Sequence, residues 1–86
     1  MRTVSFQKLA FEQFTDWAKQ NPKLFGRLVR LVSETARDPF VGIGKPEPLK
    51  GNLKGHWSRR IDEEHRLIYC VTDTTLTIVS CRDHYR

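Results

Sequence analysis

Glu47 is the only acid in the most basic stretch of the chain. From Lys45 to Arg60 it stands against Lys45, Lys50, Lys54, Arg59 and Arg60, a net +4 over sixteen residues. Pro46 and Pro48 flank it, and the fixed φ angle of each proline makes a stiff frame for the carboxylate between them. Lys50, Arg60 and Arg66 are the cations expected around it. A carboxylate so held is a candidate general base, although an ordinary surface ion pair would use the same residue types. His84, beside Asp83 and Tyr85, is the candidate acid, because imidazole changes charge near neutral pH. A frayed terminal histidine would read the same way.

One acid, one histidine and several arginines are the smallest set that cleaves RNA without a metal. The carboxylate takes the proton of a ribose 2′-hydroxyl, and the freed oxygen attacks the neighbouring phosphorus. The histidine protonates the departing 5′-oxygen, and a guanidinium stabilises the crowded phosphate. DNA lacks the 2′-hydroxyl and is excluded. Composition permits this chemistry and does not establish it.

Other chemistries find little support. His56 and His65 lack metal-ligand spacing; His65 reads as a turn residue and His56 as exposed. Cys70 and Cys81 have no CxxC spacing and read as reduced, buried thiols of a cytoplasmic protein. The sequence holds neither a phosphate-cradling glycine loop nor a nucleophile elbow, so we expect no metal and no cofactor. No apolar run is long enough to cross a membrane, and residues 6–12 are amphipathic, unlike a secretion signal.

The charge of +5 and the pI near 9.6 favour an acidic partner. Arg66, Arg82 and Arg86 add to the basic stretch if a sheet gathers them, and Trp57 and Tyr85 offer planes for bases. A solvated basic rim is the plainer alternative, and Trp57 fits a core equally well.

These residues need a scaffold, and 86 residues allow one domain, spanning 1–86. Phe6, Leu9, Ala10, Phe14, Trp17 and Ala18 recur at helical spacing, so a helix is expected after Ser5 as its cap. Asn21-Pro22 ends it and starts a second helix, which closes at Asp38-Pro39. In that helix Leu24, Phe25, Leu28, Val29, Leu31, Val32 and Ala36 form a broad apolar face, with Arg27, Arg30 and Arg37 away from its centre. Residues 39–48 form a stiff loop. Four strands are expected at 49–53, 56–62, 65–72 and 75–82, joined by tight turns. The fold class is therefore α+β: a helical hairpin on a four-stranded, mainly antiparallel sheet. A two-residue turn at Asp73-Thr74 sets Cys70 opposite Thr77 and Cys81 opposite Arg66. In a regular strand Arg66 and His84 then face opposite sides, so a bend or a bulge after Cys81 is expected.

Longer motifs carry a resemblance. Pro39-Phe40, Gly44-Lys45-Pro46-Glu47-Pro48-Leu49-Lys50, Asn52-Leu53, Gly55 to Ile61, Glu63 to Tyr69 and Cys81-Arg82-Asp83-His84-Tyr85 together resemble the YoeB/Txe toxins of the RelE-like superfamily. The resemblance implies a microbial-RNase/RelE-like fold and a toxin that cuts mRNA in the ribosomal decoding site. It implies Glu47 as base, His84 as acid and Arg66 as the phosphate ligand, with Tyr85 orienting the substrate. Lys50, Arg60, Arg59 and Trp57 are the expected substrate contacts. The implied partners are the bacterial ribosome with its mRNA, and a YefM/Phd-like antitoxin with an acidic C-terminal segment. Operator DNA would be bound only through the antitoxin complex, and a homodimer is compatible with the family. His56 before Trp57, and Arg86 after the tyrosine, depart from the family pattern. The alternatives are a relative that cleaves free RNA and a non-catalytic module that binds nucleic acid or a partner.

Overall fold

A computed structural model describes residues 1–83. The chain runs β1 (Thr3–Phe6), α1 (Lys8–Gln20), α2 (Pro22–Arg37), β2 (Glu47–Pro48), β3 (Trp57–Arg60), β4 (Arg66–Val71) and β5 (Thr75–Ser80). The strands form one sheet in the order β1-β5-β4-β3-β2, with β1 parallel to β5 and the other pairs antiparallel.

The helical hairpin forms as the sequence requires. Pro22 sits at the first position of α2, and the Asn21 side chain accepts a hydrogen bond from the Leu24 N–H at 3.1 Å. Leu28, Leu31, Ala36, Ala10 and Trp17 then pack on Leu67, Tyr69, Leu76 and Ile78, all in one buried cluster.

Three expectations are corrected. The sheet has five strands rather than four, because Thr3–Phe6 pairs with β5 instead of opening a helix. Ser5 is therefore not a cap; α1 starts at Lys8 after Gln7, whose side chain makes no capping bond. Phe6 misled the helical reading because it packs on Phe14 (centroids 4.8 Å apart) from a strand rather than from the helix. Residues 49–53 are not a strand either. Gly51 takes φ 64° and opens a short 3-10 turn over Gly51–Leu53, and the paired segment is Glu47–Pro48 just before it.

The third correction concerns β5. Cys70 does pair with Thr77, but Tyr69 pairs with Ile78 and Ile68 with Ser80, so Val79 is bulged out. The bulge therefore precedes Cys81, while the expected bend after Cys81 is present at Arg82 and Asp83, where φ reaches 60°. The bulge shifts the alternation by one, which puts Cys81 in the buried cluster; beyond the strand, the Asp83 carbonyl accepts the Arg66 N–H at 3.1 Å. Both thiols are free. Burial pushes the Cys81 thiol up to about 12, against the opposing Arg82 charge, so it stays protonated and inert at neutral pH.

Gly44 closes the loop before β2. Its carbonyl accepts the Arg60 N–H at 2.6 Å, its φ is 80°, and a Cβ there would lie 3.0 Å from the Arg60 carbonyl and from Leu31 Cδ1. Gly44→Ala is expected to cost about 1–3 kcal/mol, read as a lower thermal midpoint.

Candidate active site

The pleat of the sheet decides which side chains share a face. In the register, Glu47 pairs with Ser58, Ser58 with Ile68, and Arg60 with Arg66. Cross-strand partners project to one side, and so do residues two apart. Glu47, Ser58, Arg60, Arg66 and Ile68 therefore share the face away from the helices, while Trp57, Leu67 and Tyr69 face the helical core. At about 4.8 Å between strands and 3.4 Å per residue, the Cα atoms of Glu47 and Arg66 lie roughly 12 Å apart. That gap admits a phosphodiester between two long side chains.

Glu47 is exposed, and its strand is a two-residue edge. Prolines on both sides lack N–H groups, so the edge cannot be extended by a further strand, and the carboxylate keeps its place. Glu47, Pro48, Leu49 and Lys50 line a cavity of about 450 Å³. Lys50 and Arg60 are both exposed.

Arg66 is half-buried, with Nη1 donating to the carbonyls of Asp62 (2.7 Å), His65 (3.1 Å) and Glu63 (3.3 Å). The turn beneath it is tight. Asp62 Oδ1 accepts the N–H groups of Glu64 at 2.9 Å and His65 at 2.6 Å. Burial alone would raise the Asp62 carboxyl, but these two bonds, with the Arg27 charge nearby, hold it below its ordinary value. The guanidinium is thus anchored by one nitrogen, and Nε and Nη2 have no partner among the described residues. That leaves one edge of the fork for an anion.

Arg59, expected among the substrate cations, is elsewhere. It is 1% exposed, on the core side of β3. Its Nε donates to Tyr69 Oη at 3.2 Å, Nη1 to the Ile43 carbonyl at 3.2 Å, and Nη2 to the carbonyls of Val41 at 3.1 Å and Asp38. Tyr69 Oη donates in turn to the Pro39 carbonyl at 2.7 Å, and burial raises this phenol above its usual value despite the neighbouring Arg59. The pair pins residues 38–43, the loop that leads to Glu47. A strand neighbour of Arg60 must face the other way, and that alternation was the sequence signal for Arg59. Trp57 is half-buried on the same side as Arg59, its ring 4.9 Å from Phe40. It is a wall of the loop rather than an open stacking plane.

His56 is half-buried rather than exposed, and its Nδ1 has no hydrogen-bond partner among the described residues. His65 is a turn residue, as expected, but a buried one. Its ligand atoms lie within 4.8 Å of those of Glu64 and Asp83, a grouping the sequence hid because it joins β4 to the chain's end. Nδ1 already accepts the Asp83 N–H at 2.8 Å, and both carboxylates are exposed. His84 and Tyr85, the expected acid and orienting group, lie outside the described residues. What is described reaches Asp83, three residues past the end of β5, where φ is 60°.

Comparison with known proteins agrees with this architecture. Residues 6–85 match the family model of the YoeB-like toxin of bacterial type II toxin-antitoxin systems. The chain is 51% identical to the toxin YoeB of Streptomyces coelicolor over 82 residues, 95% of this chain and 98% of that one. It superposes on the YoeB dimer from Staphylococcus aureus with TM-score 0.90 and 40% identity, covering 98% of each chain. For the YoeB–YefM complex from Staphylococcus aureus the TM-score is 0.88 at 41% identity, covering 99% of each chain.

Proposed function

The chain belongs to the YoeB-like toxins of bacterial type II toxin-antitoxin systems, and from that membership we propose that it is an mRNA endoribonuclease that works on the ribosome. The observation that carries this reading is the placement of Glu47, Arg60 and Arg66 on one open face, with Asp83, the residue before His84, hydrogen-bonded to the Arg66 backbone.

Glu47 removes the 2′-hydroxyl proton, and the 2′-oxygen bonds to phosphorus as the bond to the 5′-oxygen breaks. His84 protonates that 5′-oxygen. Arg66 takes the charge of the pentavalent phosphate on its free edge, while Lys50 and Arg60 hold the strand, and Tyr85 orients it. Arg59 serves this reaction through the loop rather than by touching RNA. No step calls for a metal.

Each proton transfer is worth about 10²–10⁴-fold, and in-line alignment of the message adds several kcal/mol. The ribosome supplies that alignment by presenting the codon in a fixed, splayed shape. The exposed cations of α2, Lys23, Arg27, Arg30 and Arg37, extend the basic rim available to ribosomal RNA. An antitoxin with an acidic segment would cover the same face, as YoeB is held with YefM in Staphylococcus aureus, and a homodimer has its parallel in the dimer solved there.

The test uses end-labelled message on programmed ribosomes. The expected products are a 2′,3′-cyclic phosphate or 3′-phosphate and a 5′-hydroxyl, with no cut where the nucleotide 5′ to the scissile phosphate is 2′-deoxy. A 5′-phosphate product, cleavage of the deoxy substrate, or equal rates on free and ribosome-bound message would contradict the reading.

A further inference from the structure

The end of β5 is held by an unusual number of side chains for an exit segment. Cys81 N–H donates to Gln13 Oε1 at 2.7 Å, and the Cys81 carbonyl accepts from Trp17 Nε1 at 2.9 Å. The Arg82 guanidinium lies 4.6 Å above the Trp17 ring. The Asp83 N–H donates to His65 Nδ1 at 2.8 Å, and the Asp83 carbonyl accepts the Arg66 N–H at 3.1 Å. His65 is 7% exposed, with its ring edge-on to Trp17 at 4.7 Å between centroids. Two consecutive residues, His65 just before β4 and Arg66 at its start, thus grip both polar groups of Asp83, one by a side chain and one by the backbone.

Both bonds lie beyond the ladder, since β5 ends at Ser80. Without His65 the Asp83 N–H would have no partner among the described residues, and at Asp83 φ is 60°. Positive φ at a non-glycine residue costs of order 1–3 kcal/mol and persists only where the surroundings impose it. His65 Nδ1 is placed to impose it.

We infer that His65 is a positioning residue of the cleavage reaction: by accepting the Asp83 N–H it fixes the backbone of the residue that precedes His84. The inference rests on the function proposed above. It requires an acceptor at the Nδ1 position, not a histidine as such. Asparagine carries Oδ1 on the same Cγ and can take the bond, whereas leucine fills the space without an acceptor.

The experiment compares His65→Leu, His65→Asn and Gln13→Met with the wild-type protein, in single-turnover cleavage over a series of ribosome concentrations, with thermal midpoints for each. His65→Leu is expected to lower the saturating rate about 10²-fold, as a misplacement of around 1 Å can. The half-saturating ribosome concentration should stay within about twofold, because the substrate cations are untouched. His65→Asn should recover most of the rate although it is the more polar residue in a buried site. Gln13→Met, on the half-buried face of α1, should show a smaller loss of the same kind. In a His84→Ala background the His65→Leu change should cost nothing further.

A His65→Leu protein at full rate overturns the inference. So does a His65→Asn protein as slow as His65→Leu, since that is what a purely structural role predicts. Should His65→Leu not fold, a full-rate Gln13→Met together with a slow His65→Asn overturns it, and the reverse pattern supports it. His84→Ala at wild-type rate would instead overturn the underlying assignment of His84, whatever His65 does.

Discussion

Glu47→Gln should slow message cleavage on the ribosome by about 10²–10⁴-fold while the protein remains folded. Glutamine keeps the shape of the side chain and removes only its ability to accept the 2′-hydroxyl proton. Glu47 is exposed, so a stability change beyond about ±0.5 kcal/mol is not expected. The half-saturating ribosome concentration should change little, because the loss falls on proton transfer rather than on docking. Denaturation curves and single-turnover rates on one preparation check both halves of the statement. A non-catalytic binding module would give the opposite pattern: unaltered growth arrest on expression of Glu47→Gln.

Arg59→Met should have the largest effect on stability, about 3–5 kcal/mol. The buried guanidinium holds the carbonyls of Asp38, Val41 and Ile43 and the Tyr69 hydroxyl, and among the described residues it has no carboxylate partner. Methionine fits the space but leaves these acceptors unpaired, at about 1–3 kcal/mol for each that water cannot reach. Marginal domains hold only about 5–15 kcal/mol in total, so urea unfolding will show the shift directly. Arg59→Lys should recover a minority of it, since a single ammonium cannot reach the spread of acceptors that a planar fork does. Cleavage should fall in both variants, because residues 38–43 lead to the Glu47 frame.

Much of this was legible from the residues. Asn21-Pro22 and Asp38-Pro39 marked the ends of α2, and Cys70 opposite Thr77 followed from the Asp73-Thr74 hairpin. Glu47 and Arg66 sit on one open face as the proposed chemistry needs. Two of the misses share a cause: each depends on a partner far away in the sequence. Thr3–Phe6 is a strand because β5 lies beside it, and no local pattern reveals a parallel neighbour more than 70 residues on. The bulge at Val79 shows only in the pairing of β5 with β4, so alternation counted along β5 alone gave the wrong partner for Arg66. Arg59 was misplaced for a different reason. Charge suggested solvent, whereas strand period already put it on the helix side, opposite Arg60. The loop carbonyls that satisfy it could not be seen from the sequence.

The most direct test is a structure of the toxin on a ribosome programmed with message whose 2′-oxygen at the cut site is methylated to block attack. The account predicts a Glu47 carboxylate oxygen within about 3.2 Å of that 2′-oxygen, and a His84 ring nitrogen equally near the 5′-oxygen across the phosphate. Arg66 would lie against the non-bridging oxygens. Message threaded over another surface, with Glu47 and His84 on opposite sides of the protein, would contradict it.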